Sequence, residues 1–347
     1  MNPTFGNETT NHQHKIAVCS TDNWFGNVIA RSLILDCGKR SVVTIRCLAQ
    51  DTNNKCVKKL ERLGGEIHRI DYERPETIRN ALHGVEFLIF ISEADKNRVK
   101  EARIMADAAS ERDVNNAIIM SLEGAEDGEG KILGEFREME KVVGERMRNS
   151  CVVRNAFLQQ AFFLWSPNIE DRGEINMTPR DSNEWAPVNL DDIISAIVCL
   201  MLQDGKMVSE LSKKNRNKVY CLTGPELTCG RGIADTINRV IQDRGDVEYK
   251  TVNRRQLEDY LSKLAEEDRE RNRDCDRDCD PNLDDMDDCL LEQRDGIYLI
   301  QRGLALLHEC LANFFRNTQQ SLECGKLTFI EGVNRLVSAT TLFDEVN

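Results

Sequence analysis

Residues 15–26 read KIAVCSTDNWFG, and the fold turns on how they are understood. Lys15–Cys19 is a short apolar run of strand type. Asn27–Asp36 then carries Val28, Ile29, Leu33 and Ile34 at helical spacing. A strand, a tight turn and a helix in so few residues form the opening unit of an α/β chain. Such a turn brings backbone N–H groups and a helix N-terminus to a phosphate when its glycines leave the approach clear. Here it runs Cys19-Ser20-Thr21-Asp22-Asn23-Trp24-Phe25-Gly26. Of a G-x-x-G-x-x-G pattern only Gly26 remains, the position of close helix–strand packing, and Ser20 and Asn23 stand at the other two. Asn tolerates left-handed backbone, so Asn23 is expected to keep the turn. Ser20 adds a side chain to the approach, and Asp22 is expected to set a carboxylate beside the phosphates. The turn therefore either binds a dinucleotide weakly or preserves the fold without binding one.

Further along, apolar runs and helical patterns keep alternating. Strands are expected at 41–48, 66–71, 85–92, 116–121 and 151–154, and helices at 53–63, 75–82, 97–111 and 131–147. Pro75 suits a first helical turn, and Gly64-Gly65 suits a C-cap. Val85–Ser92, VEFLIFIS, is apolar enough to be buried on both faces. Six β-α units in succession predict a Rossmann-type, doubly wound parallel sheet over residues 15–155. Residues 156–347 are expected to form a smaller, mostly helical lobe, with a helix at 189–202 and a strand at 218–222 that returns to the sheet.

Met1–His14 is polar, lacks the apolar core of a secretory signal and is expected to be a disordered tail. No run of about 18 apolar residues is present, so no membrane span is expected. The 13 cysteines are scattered through apolar patterns, which points to free buried thiols in a reducing, cytoplasmic compartment, with the nucleus as a second setting. The net charge of −13 argues against direct nucleic-acid or membrane binding. That charge is concentrated. Glu266–Glu292 holds 13 acidic residues against four arginines and reads as a solvated acidic insertion.

Residues expected to face a dinucleotide are Ser20, Asn23, Phe25 and Gly26 of the turn, Gln50 and Asp71 after the second and third strands, and Ser92 and Ser121 after the fourth and fifth. Gln50 is neutral where an arginine would meet a 2′-phosphate, and Arg46 alternates onto another face. Asp71 serves equally as an adenine contact or as a carboxylate capping the next helix. Ser121 serves as a nicotinamide or substrate contact, or as a strand-end hydroxyl. A tyrosine paired with a lysine four residues on would supply general acid–base chemistry. The residues four beyond Tyr72, Tyr220, Tyr249, Tyr260 and Tyr298 are Glu76, Gly224, Asn253, Leu264 and Arg302, so no such pair exists. No catalytic residue is assigned.

Five stretches in order resemble the NmrA-like family of atypical short-chain dehydrogenases/reductases. Arg69–Ile78 (RIDYERPETI) is similar to its GD-x-x-D-P-E-S-L stretch, and Ser121–Ala125 to its fifth-strand exit. Val153–Phe157 looks like its LRPAFF segment with Asn155 at the proline, Pro187–Ile193 resembles V-D-V-D-D-I, and Lys218–Glu226 resembles K-x-Y-x-L-T-G-P-E. The resemblance spans roughly residues 15–260. It implies an NAD(P)-binding-type domain, a smaller C-terminal lobe and a cleft between them. Members either reduce small electrophiles such as quinones or act as nucleotide-sensing regulators that bind protein partners. The C-terminal lobe is then the surface for a partner. Family reductases keep a lysine on the fifth helix, a position that falls here at Phe136 or Arg137; Lys131 and Lys141 are the possible substitutes.

Cys275-x3-Cys279-x9-Cys289 among aspartates fits zinc spacing poorly, and the alternating Asp274–Asp280 lack the glycine and glutamate of a calcium loop. No metal site is expected, and the five histidines form no ligand cluster. The apolar stretch Phe157–Trp165 either lines a cleft or packs between lobes. Ile297–Phe315 forms an apolar helical stripe that docks on the body or on a partner.

Overall fold

Strands buried on both faces need helices above and below, and the chain supplies them in alternation. The computed structural model describes residues 13–37, 43–92, 97–128, 131–203, 206–240 and 246–275. Its first half runs β1 (His14–Val18), α1 (Trp24–Cys37), β2 (Val43–Ala49), α2 (Lys55–Arg62), β3 (Glu66–Arg69), α3 (Pro75–Ala81), β4 (Phe87–Phe90), α4 (Arg98–Glu111), β5 (Asn116–Leu122), α5 (Lys131–Arg146) and β6 (Asn149–Asn155). The expected elements are all present, with ends shifted by a few residues. Asn54 caps α2 by accepting from the Cys56 N–H at 2.8 Å, and Gly64 follows in left-handed conformation at φ +104°.

After a 3₁₀ stretch (Gln159–Trp165) come α6 (Ser166–Arg172), β7 (Glu174–Met177), α7 (Leu190–Met201), β8 (Leu202–Gln203), β9 (Lys206–Met207), β10 (Lys218–Leu222), α8 (Gly230–Val240), β11 (Glu248–Thr251) and α9 (Arg254–Cys275). The seven-stranded parallel sheet has the order β10-β6-β5-β4-β1-β2-β3. The chain builds outward from β1 to β3, then crosses to β4 on the other side of β1. That reversal opens a crevice beyond the carboxyl ends of β1 and β4, where open α/β sheets bind ligands. β10 pairs with β6 in parallel, Tyr220 opposite Val153, so the returning strand is where the sequence put it.

Two element ends differ from the sequence expectation. His14 belongs to β1 rather than to a tail, because its ring bonds the Glu86 carboxylate at 2.8 Å. Beyond β6 the described residues are mostly helical, as expected, and also carry short strands: β7 and β11 pair in parallel and β8 and β9 antiparallel. Helix α9 continues to Cys275, into the segment read as a solvated loop. The rest of that segment, with Cys279, Cys289 and the Ile297–Phe315 stripe, lies outside the described residues. The aromatic stretch after β6 packs against the core: Trp165 is fully buried, and the half-buried Phe157 lies 5.0 Å between ring centroids from Trp185, a buried residue further along the chain.

Helix α1 approaches the sheet over Gly26. A Cβ there would fall 2.2 Å from the Ser20 carbonyl oxygen and 2.6 Å from that of Cys19, far inside contact distance and against backbone. Gly26→Ala is expected to cost about 1–3 kcal/mol through enforced displacement, read by urea or thermal unfolding; an unchanged midpoint would show that the helix rides higher. Burial in β2 and β6 pushes the Cys47 and Cys151 thiols up to about 12. Both should resist iodoacetamide in the native protein at pH 8 and react after denaturation, as peptide mapping by mass spectrometry would record.

Candidate functional site

The turn between β1 and α1 is bound on two sides by its own side chains. The Ser20 hydroxyl donates to the Ile91 carbonyl after β4 at 3.0 Å. The Thr21 hydroxyl and N–H both donate to the Leu48 carbonyl in β2, at 3.1 and 3.0 Å. Asn27 closes the turn from the helix by donating through Nδ2 to the Thr21 carbonyl at 2.8 Å. The left-handed residue is Ser20, φ +54°, and not Asn23 as its side-chain type suggested. That conformation costs about 1–2 kcal/mol for a non-glycine residue, and the hydroxyl bond to Ile91 offsets part of it.

Asp22 also departs from expectation. Its Oδ2 accepts the N–H groups of Gln50 and Asp51, both at 2.8 Å, so the carboxylate is turned toward the exit of β2. Asp71 caps the turn before α3, one of its two expected roles. Oδ1 accepts from the Glu73 N–H at 2.9 Å and Oδ2 from Arg74 Nε at 2.7 Å. The Arg74 hydrogen bond holds its carboxyl below the usual carboxylate range.

A cleft of about 220 Å³ opens at the carboxyl ends of β1, β4, β5 and β6. Five of the sequence-selected residues line it: Ser20, Asn23, Phe25, Ser92 and Ser121. Gly26, Gln50 and Asp71 do not; Gly26 lies beneath the turn, and the other two follow β2 and β3 on its far side. Trp24, Phe136 and Met120 give the cleft much of its apolar wall, and Asn155 and Leu158 close it from the segment after β6. Of the two positions where the family resemblance sets a lysine, Phe136 lines the cleft and Arg137 is exposed outside it. Lys141 is exposed on α5.

Two charge networks sit behind this wall. The Ser121 hydroxyl donates to Glu140, a partner the sequence did not indicate. Glu140 also receives Arg154 on both oxygens, Nε to Oε1 at 2.9 Å and Nη2 to Oε2 at 2.7 Å. Arg154 Nη1 reaches Glu126 at 2.8 Å. An ionised carboxylate only accepts, so the Ser121 proton is committed to Glu140 and the hydroxyl offers the cleft an acceptor. Arg98 is the functional candidate that the sequence reading missed. It lines the cleft at 3% exposure, donates through Nε to Ser92 Oγ at 3.1 Å and through Nη1 to Glu135 at 3.2 Å, and lies 4.3 Å over the Phe136 ring. A signal existed: Arg98, Ala102, Met105 and Ala109 share one helical stripe, and an arginine on a stripe otherwise apolar is worth noticing.

Among the described lining residues there is no lysine or tyrosine, and among the described residues no His, Cys, Asp or Glu group could hold a metal. No described helix is long and apolar enough to cross a membrane. The sheet order, the switch-point crevice and the glycine-anchored turn define a Rossmann-type, dinucleotide-binding class of fold. No family model and no curated protein sequence matches the chain. Solved structures do. The triphenylmethane reductase of Citrobacter sp. superposes with a TM-score of 0.60 at 19% identity, covering 72% of this chain and 82% of the reductase. The NADPH-dependent quinone oxidoreductase of Escherichia coli, solved with NADPH, gives 0.59 at 18%, covering 86% and 99%. NmrA, a negative transcriptional regulator solved with NADP, gives 0.58 at 12%, covering 70% and 75%. At the level of fold the NmrA-like resemblance holds.

Removing one member of the Glu140–Arg154 pair would strand a largely buried charge. Arg154→Met is expected to lower stability by about 3 kcal/mol in urea unfolding, and adding Glu140→Leu to restore much of it. A double variant no more stable than the single one would show that the network acts in some other way.

Proposed function

We propose that this chain is an NmrA-like, dinucleotide-responsive regulator with little or no catalytic activity, acting through a protein partner that its C-terminal lobe meets. The observation that carries this reading is Phe136 in the cleft, an apolar ring at one of the two positions where the family resemblance sets a lysine, together with a Ser121 hydroxyl whose hydrogen bond is directed to Glu140.

The residues present suit the pyrophosphate of a nicotinamide dinucleotide. Ser20 takes the left-handed conformation that the first glycine would supply, and Gly26 lets α1 come close. The opening N–H groups of α1 at Trp24, Phe25 and Gly26 have no preceding helical turn to bond, and the positive end of the helix faces the crevice. Ser20, Asn23 and Phe25 would hold the phosphates, and Ser92 and Ser121 would border the nicotinamide end. Bound there, the dinucleotide supplies a hydride donor or acceptor. Among the described residues that line the cleft, none is a lysine, tyrosine, histidine or acid that would supply a proton to a reacting oxygen.

The alternative is an NAD(P)H-dependent reductase of quinones or similar electrophiles. Arg98 is the group that favours it, since a guanidinium at the cleft wall attracts a developing oxyanion; its pairing with Glu135 weakens that pull. The readings separate cleanly. Differential scanning fluorimetry should show stabilisation by a nicotinamide dinucleotide, while NAD(P)H with quinone should be oxidised no faster than without protein. Rapid quinone-dependent oxidation would defeat the regulator; absence of any thermal shift would defeat both.

A further inference from the structure

The dinucleotide reading leaves open which form the site takes, and the exit of β2 decides it. That is where a Rossmann fold meets the adenosine ribose, with a carboxylate for a free 2′-hydroxyl or a cation for a 2′-phosphate. In this chain the carboxylate comes from the first turn. Asp22 is 7% exposed, and its Oδ2 lies 2.8 Å from both the Gln50 and the Asp51 nitrogens. Its position is fixed from a second direction, since Asn54 Nδ2 donates to the Asp22 carbonyl at 3.2 Å. Asn54 is itself the N-cap of α2. The two N–H groups at the β2 exit therefore already serve an internal anion.

We propose that Asp22 is a specificity-determining residue, selecting NAD(H) over NADP(H). The proposal rests on the dinucleotide reading above. A 2′-phosphate, carrying close to two negative charges, would have to displace Asp22 from those N–H groups or lie against it, and like charges so placed repel. A free 2′-hydroxyl brings no charge to that position and meets no such repulsion. The surroundings agree. Gln50 is neutral, and Asp51 adds a second carboxylate, its Oδ1 accepting the Asn53 N–H at 2.9 Å. The same device explains why a turn bearing an aspartate can still serve a diphosphate: the charge is held at the ribose end.

Isothermal titration of the full chain with NAD⁺, NADH, NADP⁺ and NADPH at fixed ionic strength tests the proposal. The forms without 2′-phosphate should bind about tenfold tighter or more. Asp22→Asn keeps an acceptor for the two N–H groups but removes the charge, so it should narrow that ratio severalfold with an almost unchanged thermal midpoint. Should that variant unfold, Gln50→Arg brings a cation to the same place and should raise NADP(H) affinity. Wild-type protein that binds NADP(H) as tightly as NAD(H), or a ratio that neither variant moves, would overturn the assignment. Failure of all four dinucleotides to bind would instead remove the reading beneath it, and this inference with it.

Discussion

Helix α1 reaches β1 only because residue 26 has no side chain. With the Ser20 carbonyl oxygen 2.2 Å from any added Cβ, the approach leaves no slack, and the positions of Trp24 and Phe25 follow from it. The same contact sets where the turn can run. Once α1 is seated, Ser20 must reverse the chain in a left-handed conformation, and its hydroxyl comes within reach of Ile91 while Thr21 comes within reach of Leu48. One glycine thus fixes a turn that ties β1 to both sheet neighbours. The crevice at the switch point is the space left beside that turn.

Charge inside the molecule is managed with equal economy. Arg46, Arg98 and Arg154 all lie largely out of water, and each is answered by a carboxylate: Glu66, Glu135 and Glu140. Arg46 also donates to the Ala81 and His83 carbonyls at 2.7 and 3.0 Å, and so it ties β2 to the end of α3 rather than serving a ligand. Buried pairs of this kind seldom add much stability over an apolar core, but they punish misplacement, because a lone buried charge is costly. Their effect is therefore on geometry. Around the cleft they hold Ser92 through Arg98 and Ser121 through Glu140.

Most of the fold was legible in the sequence because period and composition are local signals. VEFLIFIS announces a strand covered on both faces, and KVYCL announces the returning β10, which spans 218–222 as expected. The site was legible only in part, for a physical reason: its decisive contacts join residues far apart in sequence. The chain distance between Asp22 and Gln50 hides that the carboxylate of one is bonded to the N–H of the other. Ser121 and Glu140 are separated by a whole strand exit and half a helix. Residue preference misled at Ser20, where a hydroxyl bond to a neighbouring strand outweighed the greater intrinsic tolerance of Asn23 for a left-handed backbone. Arg98 was available to sequence reasoning through its stripe on α4, but only to a search for the charged exception rather than for the apolar rule.

Fold and chemistry come apart at one helix position. A lysine on α5 would bring a proton and a charge to the cleft; Phe136 brings a ring, and Arg98 lies across its face with its charge directed to Glu135 and Ser92. The residue at that position does not decide the sheet, the turn or the crevice, because α5 packs through Leu133, Met139 and Val143, which are fully buried. Binding groups in this architecture belong to the backbone of a turn whose path is fixed by packing, whereas acid–base groups are single side chains that the packing does not require. A chain can therefore lose the second set while the first persists.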